Sequence, residues 1–159
     1  AGLPSQSQHK GATNAPHITI GLAESVDEGS EAALGSLSGS LPLEVHLGPV
    51  VLFEGKNTVV LARLVSATAP LLALHAAVTE ALTSCPGQVE HLAIGRWVPH
   101  VTLARRIKRE LIADALHVLR EFEGAVDRPG DNLTVEAIHL RRWDSEAKRA
   151  WILPGRISS

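Results

Sequence analysis

Two short stretches of this chain, 83 residues apart, repeat one phrase. PHITI at 16–20 and PHVTL at 99–103 each read proline, histidine, a β-branched residue, threonine and a further apolar residue. Side chains at i and i+2 of a strand project from one face. His17 therefore pairs with Thr19, and His100 with Thr102, while Ile18 and Val101 turn to the opposite, apolar side. Proline has no amide hydrogen to give a ladder, so Pro16 and Pro99 fit the start or the edge of a strand. Any fold this chain adopts has to present two His-Thr pairs near the beginnings of two strands.

The rest of the composition bounds what surrounds them. A chain of 159 residues, 45% of them hydrophobic, is the size of one domain with a packed core. With two Phe, three Trp and no Tyr, that core is made mostly of Leu, Val, Ile and Ala. No apolar run approaches the roughly 20 residues that span a bilayer, and the polar first ten residues do not read as a signal peptide. Cys85 is the single cysteine, which excludes an internal disulfide framework and a cysteine-based zinc site. The expectation is a cytoplasmic protein, a monomer, with no membrane association. The formal net charge is −2, yet residues 96–159 hold 12 of the 15 basic side chains. The densest basic stretch is Arg105, Arg106, Lys108 and Arg109, directly after the second motif, where a small anionic ligand is compatible.

The pattern predicts an α+β chain. HITIGLA reads as a buried strand, and EGSEAALGSLSG as a weak helix. EVHLGPVVLF (44–53), the turn EGKN and TVVLARLV (58–65) make a hairpin. Pro70 can open a helix whose inward face is Leu71, Leu74, His75, Val78 and Leu82, stopped by Cys85, Pro86 and Gly87. VPHVTLA (98–104) is a strand, followed by a helix near 107–122. LTVEAIHLRRW (133–143) alternates as one strand, and AWIL (150–153) pairs with it across DSEAKR. The order β, α, ββ, α, β, α, ββ implies a single domain over 1–159 with two lobes.

Two imidazoles facing one site form an acid/base pair: a neutral histidine removes a proton from a nucleophile, and a protonated one gives a proton to a leaving oxygen. A threonine hydroxyl two residues on can donate to a nonbridging phosphate oxygen. Together these groups suit in-line displacement at a phosphodiester without a cofactor or metal. A zinc hydrolase lacks any carboxylate or third histidine at recognisable ligand spacing. The other histidines (His46, His75, His91, His117, His139) have no such partners, and His9, in the loop before the first motif, is the candidate exception.

PHITI and PHVTLAR resemble the paired motifs of the two-histidine (2H) phosphoesterase superfamily, specifically its 2′-5′ RNA ligase (LigT-like) or RNA 2′,3′-cyclic phosphodiesterase branch. The resemblance implies a bilobal, pseudo-twofold α+β fold with antiparallel sheets, helices packed outside and a central cleft. It implies hydrolysis of 2′,3′-cyclic phosphodiesters, on RNA ends or small cyclic nucleotides, to 2′-phosphates, and 2′-5′ ligation in reverse. His17 and His100 would be the catalytic pair, with Thr19, Thr102 and Arg105 binding substrate. Strict alternation instead puts Arg106 on the side of His100 and Thr102, unless the strand ends or bulges near Ala104. The family opens with a strand and a helix ahead of the first motif, which this chain is expected to lack, and IGLAES replaces the usual Phe-Leu-Gly turn, as expected of a divergent subgroup. A noncatalytic module binding phosphorylated RNA ends through the same residues is the competing expectation.

Overall fold

The computed structural model describes residues 15–124 and 133–153. Among them are three α-helices, α1 (Glu28–Ser36), α2 (Ala69–Ala81) and α3 (Ile112–Gly124), and six strands. The strands are β1 (Leu43–Glu54), β2 (Thr58–Val65), β3 (His100–Lys108), β4 (Leu133–Ala137), β5 (Arg141–Asp144) and β6 (Arg149–Ile152). The architecture is α+β, as the pattern implied. Four strands form one antiparallel-paired sheet in the order β3-β2-β1-β4, and β5 and β6 form a separate hairpin. None of the described helices is long and apolar enough to cross a membrane.

The chain divides into two compact units, each assembled from separated segments. The first takes residues up to Ile18, then His46–Ser66 and His100–Val135. Its core lies on one face of the sheet, where Val59, Leu61 and Ile107 are buried with Ala115 of α3, backed by Leu103, Ala104, Leu111, Ile112 and Leu116. α3 therefore covers that face. Its helix begins later than the expected 107, for a physical reason. An apolar residue at 107 fits a helix stripe and a strand core equally well, and here Ile107 pairs with Val59 and is 1% exposed, which keeps β3 extended to Lys108.

The second unit takes Thr19–Val45, Ala67–Pro99 and Glu136–Ser159. Leu34 of α1 meets Leu74, Val78 and Leu82 from α2 and its C-cap, with Cys85, Leu140 and Leu153 closing the cluster. Asp27 caps α1 by accepting the Ser30 amide at 2.8 Å. Pro70 sits in the first turn of α2, where its missing amide hydrogen costs nothing. Gly21 packs against this helix so closely that a Cβ would lie 2.9 Å from both Leu82 and Val78. Gly87 ends the α2 region at φ +76°, and a Cβ there would strike Glu24.

Two sequence expectations need correction. Residues 133–143 form two strands rather than one: β4 joins the large sheet, while β5 pairs with β6. Leu140, buried between them, accepts the Leu153 amide through its carbonyl, and this anchor breaks the alternation. HITIGLA does not form a continuous strand either. Only Ile18 is paired, in a single antiparallel bridge to Val101, and His17 is exposed. Pro16 removes the amide that would extend this ladder toward the N-terminus.

Candidate active site

The second motif opens β3, and the register of β3 on β2 decides which side chains share its face. Residues opposite one another on paired strands point to the same side. His100 lies opposite Leu64, Thr102 opposite Ala62 and Lys108 opposite Thr58, whereas Val101 lies opposite the buried Arg63 and Ile107 opposite the buried Val59. His100 and Thr102 thus occupy the face away from α3. Between these anchors β3 has two extra residues. Leu61 is opposite Ala104 and Ala62 opposite Thr102, so Leu103 is inserted, and a second shift falls between Val59 and Leu61. In a bulge of this kind two residues oppose one. Leu103 and Ala104 pack into the α3-covered core, and Arg105 and Arg106, both exposed, fall in the interval that β2 spans with Val60 alone. The bulge that would reopen the alternation after Ala104 is present, and both arginines beyond it are exposed. Arg106 adopts φ +57°, inside the left-handed region.

The first motif lies against β3 through the Ile18–Val101 bridge. Antiparallel pairing puts His17 across from Thr102, and with Ile18 on the side of Val101, His17 falls on the same face as His100 and Thr102. All three belong to the first unit. That face of the sheet is lined by half-buried Val51, Phe53, Val60 and Leu64 and by buried Ala62. The Phe53 ring touches the His100 imidazole, with centroids 4.7 Å apart and planes inclined at 51°. Phe53 stands opposite Val60, one strand over from β2 and well along from the level of His100. Their contact requires the sheet to curl toward this face. Sequence reasoning missed Phe53, because only the register of the hairpin reveals which side it takes.

His17 Nδ1 lies 3.0 Å from the Ala15 carbonyl oxygen. A carbonyl only accepts, so Nδ1 carries the proton, and Nε2 of the neutral ring is left as the basic nitrogen. Thr19 is the first residue of the second unit, and there its carbonyl accepts a 3.0 Å hydrogen bond from Trp97 Nε1. Trp97 is buried and stacks on His75 at 4.2 Å, and His75 Nε2 in turn donates to the Leu92 carbonyl at 2.8 Å. His75 is accordingly a satisfied core histidine. Trp97 lies two residues before Pro99, so the lead-in to the second motif holds the backbone of the first.

Of the remaining histidines, His46 bonds Thr134 Oγ1 and His117 pairs with Glu121, while His9 lies outside the described residues. A cavity of about 370 Å³ in the second unit is lined by Ile20, Gly21, Leu22, Leu82 and Ile94 among others, and it contains neither motif histidine. The candidate site is the sheet face of the first unit that carries two imidazoles and the Thr102 hydroxyl, with Arg105 and Arg106 following on β3. Such a set can exchange protons with, and neutralise, a bound phosphodiester.

A family model described as the 2′-5′ RNA ligase superfamily matches residues 5–147, which include both motifs. No curated protein and no solved structure matches the chain.

Proposed function

The chain belongs to the 2′-5′ RNA ligase superfamily, that is, the two-histidine phosphoesterases, and from that premise we propose that it opens 2′,3′-cyclic phosphodiesters to 2′-phosphates. The observation that carries this reading is the common face of His17, His100 and Thr102, set by the Ile18–Val101 bridge. In the reaction, a water oxygen attacks phosphorus and the bond from phosphorus to the 3′ oxygen breaks. One imidazole takes the proton from water, and the other gives a proton to the 3′ oxygen. Thr102 and Thr19 donate to the nonbridging oxygens, and Arg105 neutralises the phosphate. The anchored Nδ1 of His17 aims a single nitrogen, Nε2, at the chemistry. When a ribose hydroxyl takes the place of water, the same groups form a 2′-5′ linkage.

The test is product analysis on a short RNA ending in a 2′,3′-cyclic phosphate. A 2′-phosphate product, with a bell-shaped pH profile from one neutral and one protonated imidazole, is the expected result. Saturable binding with no product would replace this reading with that of a binding module for RNA ends.

A further inference from the structure

Beyond Thr102, β3 continues with three exposed cations, Arg105, Arg106 and Lys108. Arg105 and Arg106 fall between the Leu61–Ala104 and Val59–Ile107 pairs, an interval that β2 spans with Val60 alone, and Lys108 is opposite Thr58 on the face of His100. Val60 and Thr58 lie two and four positions from Ala62, the level of Thr102, or about 7 and 13 Å along a strand. We propose that Arg106 and Lys108 form a subsite for the phosphates preceding the reacting one, so that the substrate is the end of a single-stranded RNA rather than a mononucleotide. This deepens the reading above and rests on it.

Three observations carry the inference. First, Arg106 and Lys108 are exposed, and their side chains make no hydrogen bond or ion pair among the described residues. Their neighbours differ: Arg109 reaches the Glu54 carboxylate and the Gly55 carbonyl, Arg63 the Gly48 carbonyl, Arg96 pairs with Glu90 and Arg142 with Glu31. Second, no carboxylate lies on this face of β1 and β2 between Val51 and Leu64. Val51, Phe53, Thr58, Val60, Ala62 and Leu64 form it, while Glu54 is opposite Val59 on the other face. An anion following the strip therefore meets no carboxylate from the described residues of β1 and β2 on this face. Third, Arg106 has φ +57°, a conformation glycine adopts freely and a long side chain does not. A cation kept there against its backbone preference points to a use for the side chain. Successive levels of cations spaced by a strand's two-residue step match the run of phosphates in an extended single strand, the mode by which a positive groove tracks such a backbone.

The experiment compares kcat/KM for a 2′,3′-cyclic mononucleotide and for an RNA of about five nucleotides with the same cyclic end, from about 50 to about 200 mM salt. The wild type is expected to favour the longer substrate by about tenfold at low salt. That advantage should fall as salt rises, with a log–log slope near 0.7 per phosphate contact. Arg106→Gly removes the cation and relieves the backbone, so its Tm should not fall while the preference for the longer RNA drops several-fold. Adding Lys108→Gln should remove most of the remainder. Equal kcat/KM for the two substrates in the wild type, or an unchanged ratio in the double variant, overturns the proposal. If the wild type turns over neither substrate, the hydrolytic reading fails by itself. The strip is then judged on binding of the same RNA carrying a 3′-phosphate: salt-dependent binding weakened in the double variant supports it, and binding insensitive to the variant overturns it.

Discussion

The two copies of the motif share five residue types and little else. PHVT is built into the sheet: Pro99 is buried, His100 is half-buried against Phe53, and β3 pairs with β2 from His100 to Lys108. PHIT is tied on at points. Ile18 makes one bridge, His17 is exposed with Nδ1 on the Ala15 carbonyl, and Thr19 is fastened through Trp97. Identical chemistry thus stands in unequal mechanical settings. The second histidine takes its geometry from a ladder, and the first takes it from three separate contacts. A substitution that touches one of those contacts should disturb the first half of the site while leaving the second intact.

The largest effect breaks the comparison at its chemistry. His17→Ala and His100→Ala should each lower kcat on a cyclic phosphodiester by about 10²–10⁴-fold, the usual worth of a general acid or base, with circular dichroism unchanged. If one variant keeps full activity, the two copies are not partners. A smaller effect tests the fastening. Trp97→Phe keeps the stack on His75 but removes the Nε1–H donated to Thr19, at a cost of roughly 1 kcal/mol. A lower urea midpoint with a matching loss of kcat/KM is expected, and wild-type values for both would show that this bond does not hold the first motif.

The smallest effect concerns the second unit, which holds the segment after PHIT. Asp27 accepts hydrogen bonds from the Ser30 amide, the Ser30 hydroxyl and the Ser84 hydroxyl, and the Ser30 amide above all holds its carboxyl below the ordinary carboxylate range. A carboxyl depressed in the folded state contributes stability that is complete above its unfolded pKa, about 3.9, and is lost as pH falls through the lower folded value. Asp27→Asn should therefore flatten the acid limb of a stability–pH curve below about pH 4. A limb as steep as that of the wild type would mean other carboxylates set it.

Much of this was readable from residue types. The β1–β2 hairpin followed from branched apolar runs around EGKN, and α2 from Pro70 and the spacing of Leu71, Leu74 and Val78, all of which are buried. The repeated phrase singled out His17 and His100, which the fold brings into one unit, although the single bridge in place of a first strand was not readable from it. What the residues could not disclose was register. Alternation assumes that strands contain no insertions, so it misplaces any side chain that follows a bulge, and it cannot tell whether LTVEAIHLRRW serves one sheet or two. Phe53 and Trp97 escaped notice for a related reason, since each acts through a contact with a residue far away in sequence.

The two bulges in β3 behave like a pair of compensating frameshifts. The first throws the alternation out of phase and the second restores it, so Ile107 and Lys108 point to the faces an uninterrupted strand would have given them, set back by two positions on β2. Within the short shifted window, Ala104 exchanges its place for the core and Arg105 is left exposed. A deletion of Leu103 alone would leave the second shift uncorrected and carry the phase error into everything upstream or downstream of it, whereas losing one residue from each bulge, two in all, would restore a regular alternation. The polypeptide has edited two letters of its own pattern without disturbing the rest of the line.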